Sequence, residues 1–296
     1  MDLCRRFQPI ILLDKEERYF PIDFEKYIGQ CSLVNCKTGE TYIEDLTPEL
    51  LGQWVSDNPK QNNMDMFLWL KDGINNPIVA NYDTTFEQLK EVPLYVRVKE
   101  MSGETYITYA HMYAYNGTVG LFQSDNSKLR LTEFEHFSDL EHVTVKLVDG
   151  ELESVFFSMH DGGYWIGKNE ISFRGERPIV FSARETHASY PCPGTTCRFL
   201  GFVADNCSLG TEWDAKKLIL MGDDLQQEKS WILFRGTLSK GHVANFPEKS
   251  WWNKEEKNGY ISQILPKSWV DKLNAAFSPL YKSIVKTFFP SWSVRY

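Results

Sequence analysis

A chain of 296 residues, 42% apolar and 24% charged, is long enough for one large β domain or two smaller ones, each with a sizeable core. Its formal net charge of −8 argues against a general nucleic-acid binder, which needs a basic face to displace counterions from phosphate. No stretch approaches the roughly 20 apolar residues of a membrane span, and the first apolar run is too short for a signal-peptide core. A cytoplasmic protein is therefore expected, free, peripheral on membranes or part of an assembly.

In chain order, residues 7–28 hold a short apolar run, a charged turn and a second segment, with Pro9 and Pro21 favouring extended backbone. Residues 31–45 (CSLVNCKTGETYIED) read as a hairpin turning at Lys37-Thr38-Gly39. Thr47 followed by Pro48 is a helix start, and the helix covers ELLGQWV. Residues 73–83 are loop-like. A short helix is expected over TTFEQLKEV, stopped by Pro93. From Pro93 the pattern turns to β: PLYVRVKE, then the aromatic TYITYAHMYAYN, then GLFQSDNSKLRL. YWIGKNEISFRGER, PIVFSA and a late strand WILFRGTLS follow beyond a central hairpin. Short strands punctuated by Gly, Asn and Asp turns predict a mainly β protein. The expected form is a sandwich of antiparallel strands with a few peripheral short helices and a C-terminal helix.

The chain divides into a β-sandwich domain with an N-terminal elaboration over 1–265 and an amphipathic tail over 266–296. The tail carries Lys267, Lys272, Lys282, Lys286 and Arg295 against the single acid Asp271, which is +4 (five minus one) in a chain of −8. Leu280, Ile284 and Phe288, with Tyr281, Val285 and Phe289, form an apolar stripe at helical spacing after Ser278-Pro279. Such a helix either docks on the sandwich, mediates protein assembly, or lies on an anionic membrane.

Residues 135–160 (EHFSDLEHVTVKLVDGELESVFFSMH) read as a hairpin around Asp149-Gly150, a pair suited to the positive φ angles of a type I′ turn. Counting outward, Val148 faces Glu151, Leu147 faces Leu152, Val145 faces Ser154 and Val143 faces Phe156. Glu141 then faces Ser158 and Asp139 faces His160, at the end of an otherwise apolar face. The other face carries His142, Thr144 and Lys146, with Lys146 opposite Glu153, and reads as solvated. His111 reads as packing in its aromatic strand and His242 as a loop residue.

Two carboxylates and an imidazole at one strand end make a candidate divalent-cation site, or a set of side chains that only hydrogen-bond loop backbone. His136 is three residues from Asp139, an odd separation, so it joins the set only from a loop that turns back. His187, in SARETHASYP, is a further candidate. No GxSxG, GxxxxGK[ST] or GxGxxG occurs, so neither a nucleophile elbow nor a phosphate loop is visible. Cys31 and Cys36, and Cys192 and Cys197, have four residues between them, wider than the CxxC of zinc sites. In a cytosolic chain free thiols are the expected state.

FQPIILLDKEERYFPIDF, TYITYAHMYAYNG, DLEHVTVKL, FSMHDG and PIVFSARETHASYP, in this order, resemble the vacuolar protein sorting-associated protein 62 family. So does WILFRGTLS followed by FPEKSWW, and the resemblance spans about residues 7–252. That family's name comes from vacuolar sorting and fixes no reaction. A more distant resemblance joins EHFSDLE, residues 135–141, to the GHRHDWE heptad of the necrosis-inducing cytolysins of plant pathogens. It implies metal-binding roles for His136, Asp139 and Glu141, with His160 matching a later histidine. It also implies a sandwich that holds a divalent cation at one end and binds the sugar head of a sphingolipid. The chain departs from the heptad at Glu135, Ser138 and Leu140.

The leading expectation is a non-catalytic binding or scaffold module. A Mg²⁺ or Ca²⁺ ion, favoured over Zn²⁺, is held by His136, Asp139, Glu141, His160 and His187. Trp165 and Tyr190 flank it as stacking surfaces for a glycan, a glycolipid head group or an anionic membrane. A structural protein of a coat or particle and a metal-dependent hydrolase are the alternatives.

Overall fold

The computed structural model of the chain describes residues 2–62, 64–79, 81, 83–121, 130–131, 135–160, 162–198, 203–222, 229–240 and 243–258. The tail over 266–296 with its expected helix, and His242, lie outside these residues.

The chain opens with α1 (Asp2–Arg6), β1 (Ile10–Leu13), β2 (Pro21–Ile22) and α2 (Phe24–Ile28). β3 (Cys31–Asn35), β4 (Thr41–Ile43), α3 (Pro48–Asp57), β5 (Met66–Leu70) and α4 (Phe86–Glu91) follow. Next come β6 (Leu94–Met101), β7 (Glu104–Asn116), β8 (Val119–Leu121), β9 (Arg130–Leu131), β10 (His136–Val148) and β11 (Glu151–Met159). β12 (Gly162–Gly167), β13 (Phe173–Arg174), β14 (Arg177–Ser182), β15 (Ser189–Tyr190) and β16 (Gly194–Arg198) continue the chain. β17 (Val203–Cys207), β18 (Glu212–Trp213), β19 (Leu218–Leu220) and α5 (Ser250–Asn253) complete it.

A seven-stranded sheet in the order β12-β11-β10-β7-β6-β19, with β2 also on β7, is the centre of the molecule. A five-stranded sheet, β13-β14-β1-β18 with β15 on β14, packs on one face of it. Between them lies one apolar core, with Tyr109, Val143, Val145 and Phe157 meeting Ile11, Val180 and Trp213. This is the expected sandwich, mainly antiparallel, although β1 runs parallel to β14 and β6 parallel to β19.

The other face of the central sheet is not solvated. Tyr95, Ala110 and Met112 on that face pack into a second core with Phe24, Trp54, Trp231, Phe246 and Trp251. The elements over 24–79 and residues 229–240 and 243–258 thus form a third layer. This explains why β7 lacks polar alternation: a strand covered on both faces is apolar throughout. It also overturns the reading of His142 and Thr144 as solvent-facing, since both are buried. Lys146 does pair with Glu153, at 3.1 Å, and with Glu104 at 2.9 Å.

Local signals translate directly where they are self-contained. Thr47 caps α3 by accepting a hydrogen bond from the Leu50 N–H. Thr85 and Gln88 cap α4 reciprocally. β3 and β4 form the hairpin around Gly39. WILFRGTLS is not a strand. Residues Ser230–Leu233 form a 3₁₀ turn, which puts Trp231 in a stack on Phe24 with centroids 4.9 Å apart. Cys4, Cys31, Cys36, Cys192 and Cys207 are free thiols. Among the described residues, no helix is long and apolar enough to cross a membrane.

A candidate binding site at the end of the sandwich

The hairpin turns at Asp149 and Gly150 with φ angles of 52° and 78°. Val148 pairs with Glu151 and Leu147 with Leu152, but the register then slips by one. Glu153 is the extra residue of a bulge, so Val145 meets Val155 and Val143 meets Phe157. The slip keeps Leu152, Val155, Phe157 and Met159 in the core instead of Ser154 and Ser158. It also corrects the expected pairing of Asp139 with His160. His160 follows the end of β11 in a left-handed conformation, φ 57°, and its ring bonds elsewhere.

The partner of Asp139 is His187, whose Nδ1–H donates to Asp139 Oδ2 at 2.8 Å. The His187 ring is fully enclosed and stacks on Tyr113 at 3.6 Å. Tyr113 lies directly across from Asp139 on β7. The other ring nitrogen of His187 lies 3.7 Å from Glu17 Oε1. Glu17 itself accepts from the backbone N–H groups of Arg18, Tyr19 and Glu185 at 2.8–2.9 Å, tying the N-terminal turn to the loop that carries His187. Glu185 beside it accepts from Arg18 and, at 2.8 Å, from the Thr118 hydroxyl.

Burial alone would pull the His187 imidazole down. The hydrogen bond to Asp139 and the charge of Glu17 instead raise it to about 9. Burial would likewise raise Asp139, but His187 holds it below the usual carboxylate value. Glu141 goes the other way. Burial, reinforced by the negative charge of Asp139, pushes it well up against a hydrogen bond from Ser158. Two carboxyl groups two residues apart are therefore shifted in opposite directions, Asp139 down and Glu141 up.

His136 is partly buried at the start of β10, where its Nδ1–H donates to the Ser138 carbonyl at 2.7 Å. Ser138 is left-handed, φ 59°, which is the local turn-back that His136 needs. Of seven non-glycine residues with positive φ among the described residues, four (Ser138, His160, Glu185 and His187) belong to this end of the sandwich. Each such residue costs about 1–3 kcal/mol and persists where its surroundings over-determine it.

The five expected ligands thus gather at one end but bond to different partners. Asp139 takes His187, Glu141 takes Ser158, and His160 takes Asp205 at 3.1 Å. Among the described residues, no three His, Cys, Asp or Glu side chains converge as ligands of a metal ion. Tyr190 is here, but its hydroxyl donates to Asp205 at 2.6 Å and its ring is buried, so it offers no stacking surface. Trp165 is not here. It pairs with Phe156 on the opposite face of the sheet, where its indole N–H donates to the Glu256 carbonyl at 2.9 Å. Glu17, Tyr113, Glu185 and Asp205 escaped the sequence reading. They lie on other strands and loops, and no local pattern marks them.

A family model described as vacuolar protein sorting-associated protein 62 matches residues 1–220. No curated protein matches the chain. Solved structures similar to it include necrosis and ethylene inducing protein 2 from the causal agent of cocoa's witches' broom disease. That match has 14% identity, 74% of this chain and 73% of that one covered, and a TM-score of 0.35. NLPPya in complex with glucosamine matches at 11% identity, 84% and 85% coverage and a TM-score of 0.43. The non-toxic HaNLP3 protein matches at 15% identity, 87% and 92% coverage and a TM-score of 0.41.

Proposed function

This chain belongs to the vacuolar protein sorting-associated protein 62 family, and from that premise we propose that it is a non-catalytic binding module whose recognition site is the polar end of the sandwich. One observation carries the reading. The buried Asp139–His187–Glu17 array is surrounded by residues held in strained backbone, as ligand-binding sites are. The hydroxyls nearby favour binding over catalysis. Ser158 donates to Glu141 and Thr186 to Asp205, so neither faces an ionised base with an open position.

The divalent cation expected from the sequence belongs to this reading as its further part. Asp139 and Glu141 are hard oxygen donors of the kind Mg²⁺ and Ca²⁺ take. As arranged, the set does not fit a bound ion, because His187 occupies Asp139 and His160 faces Asp205. A cation would bind only if His187 gave up Asp139. A hydroxyl-rich glycan or lipid head group is the ligand class suited to alternating donors and acceptors. A role in vacuolar sorting would follow from such recognition.

The test is binding of purified protein to a glycan array and to glycolipid vesicles, with and without chelator, alongside elemental analysis. Asp139→Asn and His187→Gln are expected to lose binding at least tenfold while remaining folded. Equal binding by wild type and both variants, or no binding by wild type, overturns the reading. A stoichiometric metal lost in Asp139→Asn establishes the cation.

A further inference from the structure

The hairpin end carries a second carboxylate–imidazole pair, separate from Asp139 and His187. Asp205, on β17, is fully buried. Its Oδ1 accepts from the Thr186 hydroxyl at 2.8 Å and its Oδ2 from the Tyr190 hydroxyl at 2.6 Å, and the His160 Nε2 lies 3.1 Å from the same Oδ2. Side chains from the hairpin end, the loop of His187 and β15 therefore meet on one carboxylate. His160 keeps 22% of its side chain exposed while Asp205 keeps none, so the ring is reachable from outside and its anchor is not.

An ionised aspartate only accepts hydrogen bonds. In the neutral ring the proton must then sit on Nε2, and Nδ1 retains its lone pair. We propose that Asp205 is a positioning residue of the binding site, fixing the His160 ring and its Nε2–H tautomer so that Nδ1 is a hydrogen-bond acceptor for ligand. An acceptor nitrogen selects ligand groups that donate, such as hydroxyls, over phosphate monoester dianions, which only accept. The strained backbone of His160 fits this role, because two further donors, the hydroxyls of Thr186 and Tyr190, hold the anchor that holds the ring. The ligand half of this inference rests on the binding-module reading; the tautomer half does not.

Long-range ¹H–¹⁵N spectra of the full-length labelled protein report the tautomer, with the His160 signals assigned from their loss in His160→Gln. Wild type is expected to show one tautomer, Nε2–H. Asp205→Asn, whose amide donates as well as accepts, is expected to shift the ring toward Nδ1–H. A wild-type ring carrying its proton on Nδ1, or exchanging between forms, overturns the proposal even if Asp205→Asn fails to fold. So does an unchanged tautomer in a folded Asp205→Asn. Titration at mildly alkaline pH with mannose and with methyl phosphate, whose dianion carries no donor, tests the ligand half: mannose is expected to shift the His160 signals at lower concentration than the phosphate ester. The reverse order overturns the selectivity. A fixed Nε2–H tautomer without any mannose response overturns recognition of hydroxyls and leaves the positioning role standing.

Discussion

His111 sits across from Glu141 on β7, with its ring edge-on to Tyr113 and Trp213. Neither of its nitrogens has a hydrogen-bond partner among the described residues. Burial pushes its imidazole down to about 3. An unfolded histidine binds its proton near pH 6.5. The folded state therefore takes up fewer protons between pH 6.5 and about 3, and stability falls as the pH drops through that window. One such group contributes a slope of at most about 1.4 kcal/mol per pH unit. His111→Phe is expected to flatten the acid side of the wild-type curve by that amount. At pH 7 it is expected to cost under about 1 kcal/mol, since it replaces two unpaired polar atoms. Urea midpoints between pH 4 and 8 check this; a variant with the wild-type slope contradicts it. That His111 packs was legible from its aromatic strand. That His142 is buried was not. Alternation placed it correctly on the face opposite Asp139, but only tertiary contact decides whether such a face meets water. There it pairs with Glu256 at 3.2 Å and stacks on Phe156.

At the scale of elements, turns and caps carry their own instructions. Gly150 is held at φ 78° with open space around its Cα. Gly150→Ala is therefore expected to cost only the strain of a left-handed residue, about 1 kcal/mol. Thr47→Ala removes the side-chain cap of α3 and is expected to cost about 1 kcal/mol as well. Thermal unfolding of the two single variants and the double variant checks both values. Because the sites share no contact, the losses are expected to add. The register of the β10–β11 hairpin was legible only as far as the bulge. Period-two counting from the turn assumes no inserted residue, and Glu153 breaks that assumption three residues out. The gain that drives it is the exchange of Ser154 and Ser158 for Val155 and Phe157 on the core face, a choice made by the sheet opposite.

Across the whole molecule, residues 251–258 help close the second face of the central sheet. Trp251 packs at 5.3 Å on His142, and the guanidinium of Arg97 lies 3.6 Å over the Trp252 ring. The side-chain carbonyl of Asn258 takes the N–H of Trp165 on edge strand β12, at 2.7 Å. Trp251→Ala opens a cavity in this layer and is expected to cost about 3–5 kcal/mol, with a dye that binds apolar surface responding to the variant. A loss under 1 kcal/mol, measured in urea, would mean that the third layer adds little to the sandwich.

By itself the sequence determined most of the strands, the two capped helices, the mainly β class and the family, and it singled out His136, Asp139, Glu141, His160 and His187 as candidates. Those follow from periodicity, turn chemistry and motif order, which are local or collinear. The tertiary structure decided which of these groups touch. Asp139 meets His187 and His160 meets Asp205 because a bulge, left-handed residues and a second sheet bring together side chains 45 to 48 positions apart. Hydrogen bonds across that separation leave no periodic trace in the chain, since either partner satisfies its own local backbone without the other.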